Sequence, residues 1–149
     1  MKSRMSLLLA AVCLVAAAPL ARDDDAKKDL DKLQGEWVIV SGERDGMTIP
    51  KEALEGIKRT VTGEDFTVSK DGEVLSRGKY KLDPSKKPKA IDAITKNEAG
   101  EEVTMQGIYE FEGDTYKVCL AQPGKPRPTE FKTSENSGCT LTVSKKAGK

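Results

Sequence analysis

The chain contains no histidine. Without imidazole there is no Ser or Cys triad built on a histidine base, no histidine metal site and no histidine pH switch, which removes most hydrolase chemistries. Aromatic residues make up only 5%, with a single tryptophan, so a thin core is expected. Charge of one sign is also missing. The 25 Lys and Arg stand against 24 Asp and Glu, which leaves no field able to hold nucleic acid or an anionic membrane surface. No internal repeat and no low-complexity tract is present. Carboxylates are plentiful but scattered, and no pair is set apart by spacing for acid and base work. The acidic run at 23–25 is not followed by calcium-loop spacing. No catalytic residue, cofactor or metal ligand is expected.

Long apolar runs are absent as well, apart from one. Residues 1–21, MKSRMSLLLAAVCLVAAAPLA, place Lys2 and Arg4 ahead of an apolar stretch from Leu7 to Val15, followed by small residues. That is the layout of a secretory signal peptide, too short to span a bilayer comfortably. The protein is expected to be exported, to the periplasm, the cell envelope or the medium, with no membrane span in its mature form. Removal of Lys2 and Arg4 leaves 23 basic against 24 acidic side chains. Cys13 belongs to the apolar run, so export leaves Cys119 and Cys139, an even number that makes a disulfide possible. The expected faces oppose it: Cys119 alternates with Lys117 on an outer face, Cys139 with Leu141 and Val143 on an inner one.

What remains is one domain's worth of chain: a leader at 22–28, a domain at 29–146 and a tail at 147–149. Residues 23–33, DDDAKKDLDKL, set Leu30 and Leu33 on one face and predict a short helix ending at Gly35, with the acidic run as its solvated lead-in. From Trp37 the apolar period becomes two. WVIVS reads as a strand, IPKEALEGI as one helical turn, and FTVSKDGEVLSRGKYKLD as a hairpin around Asp71 and Gly72. Val74, Ser76, Gly78, Tyr80 and Leu82 are expected inside, with Leu75, Arg77, Lys79 and Lys81 outside. AIDAIT, VTMQGIYEF, TYKVCLA and GCTLTVSK supply further strands. They carry Met105, Gly107, Tyr109, Tyr116 and Leu120 inward, and PGKPRPTEF reads as a rim loop or broken edge strand. About eight short strands joined by close turns predict an all-β protein. Their consecutive hairpin order favours an up-and-down antiparallel barrel, which leaves no free edge.

Short stretches add a resemblance. LQGEW after a short helix resembles the G-x-W motif of lipocalins and the wider calycin group, in which that Trp packs at the closed base and a basic residue of the last strand covers it. The likeness implies structural roles for Gly35 and Trp37. It also implies a cation–π cap from Lys145, which is expected to share the inward face with Leu141 and Val143. LQGEWVIVSGERDG, KLDPSKKPKAID, GIYEFEGDTYKVC and RPTEF, in that order over most of residues 29–145, are similar to the motifs of the lipocalin-like "planctomycetal domain" group of uncharacterised secreted bacterial proteins. That resemblance implies a lipocalin-like barrel and export, and no activity.

An eight-stranded barrel either fills its interior with side chains or holds one small ligand. For a carrier of a small apolar or amphipathic molecule, Gly78 and Gly107 would open space, and Tyr80, Met105, Tyr109 and Tyr116 would form an adaptable wall with hydroxyl handles. The alternative is a non-catalytic envelope protein with a filled barrel, meeting an unspecified protein partner through its surface or the proline-rich loop. In that loop Arg127, between Pro126 and Pro128, is either a presented cation or a brace paired with a carboxylate such as Asp92.

Overall fold

The structure, a computed structural model, describes residues 19–148. The expected signal segment 1–21 lies almost wholly outside the described residues, as does Lys149 of the tail.

Helix α1 (Pro19–Leu33) begins ahead of the expected lead-in, so residues 22–28 are helical, with Asp24 and Asp25 exposed. Ala26, Asp29, Leu30 and Leu33 recur at helical spacing, and this face meets the rest of the protein. Leu33 is fully buried and Asp29 is 4% exposed. Burying the leucine contributes roughly 1.5–3 kcal/mol.

The strands described are β1 (Gly35–Arg44), β2 (Met47–Thr48), β3 (Ile57–Thr62), β4 (Asp65–Lys70), β5 (Glu73–Asp83), β6 (Ala90–Lys96), β7 (Glu102–Glu112), β8 (Thr115–Ala121) and β9 (Cys139–Lys146). A single helical turn, α2 (Lys51–Leu54), lies between β2 and β3. Every pairing is antiparallel between neighbours in the order β2-β1-β3-β4-β5-β6-β7-β8-β9, and β1 also pairs with β9 from Trp37↔Lys146 to Arg44↔Thr140. β2 only flanks the far end of β1, beyond the stretch that β3 covers. The other eight strands close into an up-and-down barrel. The tight turn at Asp71 (φ 50°) and Gly72 (φ 87°) has the two positive φ angles that a twisted two-residue hairpin loop requires.

The two ends differ. At the base, Trp37, Phe111, Tyr116 and Tyr109 form a chain of rings with centroids 5.4 to 6.5 Å apart. Leu33 and α1 lie over this base, and the Trp37 indole N–H donates to the Leu33 carbonyl at 2.8 Å. At the other end the barrel is bordered by the β1–β3 connection, the turns at 71–72 and 97–101, and the long loop 122–138.

Three expectations about faces are corrected. β9 sits one residue out of the expected phase. Tyr116, Val118 and Leu120 point inward and pair with Ser144, Thr142 and Thr140, so the polar side of β9 faces the interior. Cys139, Leu141, Val143 and Lys145 face outward. The physical reason is the loop 122–138, which brings Phe131 onto the outer face and gives Ile108, Cys119, Ala121, Cys139 and Leu141 a second small apolar cluster there. Cys119 and Cys139 therefore share a face and interact, and both are free thiols.

A bulge between Val68 and Ser69 skips Leu75 in the β4–β5 register, so Val74 joins Leu75 at the surface, at 44% and 56% exposure, rather than facing inward. Gly78 and Gly107 do not open space. A Cβ on Gly78 would collide with the Ile94 carbonyl, and one on Gly107 with the Cys119 carbonyl. Both glycines let neighbouring backbone approach.

Candidate functional site

The inward positions of eight strands alternate with outward ones, so the barrel interior collects residues far apart in sequence. Three residues carry the base. Gly35, at φ 105°, turns the chain from α1 into β1, and the lysine that packs beside it is Lys146. Its ammonium lies 4.8 Å from the centroid of the Trp37 ring and donates to the Gln34 carbonyl. Lys145 is exposed and points away, as the shifted phase of β9 requires. The expected cap is thus present with its neighbour in the role.

The base is closed by a second polar fixture. Asp29 of α1 accepts from the Tyr109 hydroxyl at 2.7 Å and from the Lys89 ammonium at 2.9 Å. Burial, then the bond to Asp29, pushes the Tyr109 phenol well above its usual range. Tyr109 is therefore structural, locking the helix onto the base, and it does not line a cavity. Tyr116 is fully buried between Trp37 and the Arg59 guanidinium, which lies 5.6 Å from its ring. It forms the floor between base and upper barrel.

Above that floor is a cavity of about 310 Å³ reaching the end opposite Trp37. Phe66, Val68, Met105 and Leu120 supply apolar wall, and Tyr80 stacks on Phe66 at 4.2 Å between centroids. Of the four residues expected to line a ligand site, Tyr80 and Met105 do so; Tyr109 and Tyr116 lie below. Thr140 and Thr142, from the polar side of β9, also line it, Thr140 directly beside Leu120, with Arg44 and Gln122 near them. Arg59 also lines the cavity at 5% exposure. Burial raises the Tyr80 phenol, and the guanidinium of Arg59 opposes that rise.

Arg59 and Asp29 were both missed by reading the sequence. A signal existed for each. Arg59 keeps the same alternation as Ile57 and Val61 in β3, and Asp29 falls on the helix stripe of Ala26, Leu30 and Leu33.

A hollow of about 900 Å³ lies along the outer face of β4–β7, where Asp65, Arg77, Lys79, Lys96 and Glu102 mix both signs around Val74, Leu75 and Ile94. The rim loop is held by Arg127, whose Nη2 donates to Asp92 Oδ1 at 2.7 Å. Its Nη1 donates to the carbonyls of Gly107 and Ile91 at 2.7 and 3.0 Å. Among the described residues, no group of three or more Cys, Asp or Glu is placed to hold a metal ion, and no helix is long and apolar enough to cross a membrane. No family model, no curated protein and no solved structure matches the chain.

Proposed function

We propose that the protein is an exported, non-catalytic, lipocalin-like binder that takes one small amphipathic molecule into the upper half of its barrel. The observation that carries this reading is the division of the interior. The base is packed with rings, whereas the upper half keeps a cavity of about 310 Å³ whose lining mixes apolar side chains with hydroxyls and cations. That volume is at the lower end of small-molecule pockets and equals the share of roughly ten waters in the liquid. The ligand is accordingly on the order of ten non-hydrogen atoms. The signal-like layout of residues 1–21 supports export, and the scatter of carboxylates away from the cavity supports a binding rather than a catalytic role.

Native mass spectrometry of the protein purified from the cells that make it tests the reading. A co-purifying small mass is expected in the natural protein and is expected to vanish from Leu120→Trp, which fills the cavity. A bare polypeptide mass, with no thermal stabilisation by lipid extracts, would instead support a filled barrel that acts through its surface.

A further inference from the structure

The cavity wall carries a charge that no carboxylate among the described residues balances. Arg59 is 95% buried by its 5% exposure, and its Nε and Nη1 have no hydrogen-bond partner. Guanidinium stays protonated at any pH a folded protein meets. An unpaired buried cation is costly enough that proteins pair it or dispense with it. Among the described residues no carboxylate pairs with it in any ion pair, and no Asp or Glu lines the cavity. The Tyr116 ring at 5.6 Å and the Tyr80 hydroxyl compensate it in part, through a cation–π contact and a neutral hydrogen-bond partner.

Three inward hydroxyls lack partners too, of which Thr142 lines the cavity and Tyr116 and Ser144 lie at its floor. The Tyr116 hydroxyl, Thr142 Oγ1 and Ser144 Oγ are buried without a hydrogen bond. All three lie on the inward faces of β8 and β9, where Tyr116 pairs directly with Ser144. Buried orphans of this kind number a few per hundred residues in folded proteins and call for an explanation. Here they converge on one side of one barrel, together with the guanidinium. Arg44, bonded to Thr140 at 3.2 Å, adds a second cation toward the mouth. Apolar side chains are interleaved with these groups: Val68 pairs directly with Arg59 and Leu120 with Thr140, while Phe66 and Met105 complete the lining.

We infer that the ligand is a small organic monocarboxylate, its carboxylate held by Arg59 and the Thr142 hydroxyl, which share the cavity lining, and its hydrocarbon part against Phe66, Met105 and Leu120. This rests on the barrel interior being the ligand site. A carboxylate suits the position because it accepts two parallel bonds from a guanidinium and further bonds from hydroxyls without supplying a donor of its own. Its single negative charge neutralises the single buried cation. The polar inward side of β9 then has a purpose, since an apolar strand there would pack a filled barrel better.

The test compares octanoate with octan-1-ol, a neutral molecule of the same chain length, by calorimetric titration of the protein at low salt, with acetate as the anion lacking a tail. Octanoate is expected to bind at least about ten-fold more tightly than either, the factor expected of a hydrogen bond to a charged group. In Arg59→Met the preference for octanoate over octanol is expected to fall to roughly two-fold or less while octanol binding persists. Arg59→Lys, which keeps the charge, is expected to retain the preference. Removal of an unpaired buried charge predicts that Arg59→Met melts no lower than the natural protein.

Octanol binding as tightly as octanoate would overturn the anion inference and leave the carrier reading intact, as would a preference that survives in Arg59→Met. Acetate binding as tightly as octanoate would overturn the amphiphile in favour of a bare anion. Binding of none of the three would sink the carrier reading together with the inference.

Discussion

The hydroxyl of Tyr109 donates to Asp29 Oδ2 at 2.7 Å, joining β7 to α1 across the base of the barrel. The carboxylate is 4% exposed, so its remaining neighbours decide whether the helix stays docked. Lys89, 2.9 Å away, is itself 41% exposed in its side chain and can return to water. The tyrosine cannot. Tyr109→Phe keeps the ring contacts and removes one bond to a charged acceptor, a loss of about 1.5–3 kcal/mol. Urea unfolding of the variant against the natural protein measures it, and an unchanged midpoint would mean that the helix is not held by this bond.

Lys146 covers the Trp37 ring at 4.8 Å, whereas its neighbour Lys145 faces solvent. Lys146→Met is expected to cost about 0.5–2 kcal/mol and to shift the fluorescence of the only tryptophan, because the ring loses its cation and the Gln34 carbonyl its donor. Lys145→Met is expected to stay within about 0.5 kcal/mol. A larger effect at Lys145 than at Lys146 would place β9 in the opposite phase.

That phase marks where the sequence stops being legible. Strand positions, the hairpin at Asp71–Gly72 and the closure of the barrel follow from period-two alternation and turn residues, because a sheet with one buried face must alternate. The faces of β9 do not follow. Both of its sides alternate, Cys139, Leu141 and Val143 against Thr140, Thr142 and Ser144, and choosing the apolar side as the inner one assumes that only the interior is dry. The loop 122–138 makes a second dry place outside. Gly78 and Gly107 illustrate the same limit: a missing side chain signals either empty space or backbone contact, and only the neighbours decide. The cavity itself was half legible, through Tyr80 and Met105. Arg59 was hidden because an arginine in a polar, alternating strand ordinarily points to water.

Under the outer loop, burial raises the Cys119 thiol from the usual 9.0 to about 11, with Cys139 and Glu43 adding to the rise. The fold prefers the protonated thiol. The stability it contributes is therefore complete below pH 9 and is lost as pH climbs through 11. The buried phenols of Tyr109 and Tyr116 are also raised above their usual 10.0, so they add to the loss from about pH 10 upward. Melting temperatures recorded across this range are expected to fall, and Cys119→Ala is expected to flatten the part between pH 9 and 10, where the thiol acts before the phenols. The same slope in both proteins would show that the thiol meets water in the folded state.

Arg127 decides whether that burial lasts. Its guanidinium bridges the loop to Asp92 and to the carbonyls of Ile91 and Gly107, three acceptors on β6 and β7. The loop itself contributes Phe131 to the outer cluster, and the Lys117 ammonium lies 5.7 Å from that ring. Thr133 and Gly138 tie the far end of the loop to Glu43, Gly46 and Asp45, so the brace governs the proline-rich half, and Arg127→Met is expected to cost about 1.5–3 kcal/mol there. Local opening is read more directly than global unfolding. Alkylation of Cys119 and proteolytic cleavage after Lys125 or Lys132 are both expected to accelerate in Arg127→Met, while the barrel's midpoint in urea moves less. If alkylation stayed at the natural rate, Phe131 and its neighbours would be sufficient to hold the loop, and the guanidinium bonds would be accessory.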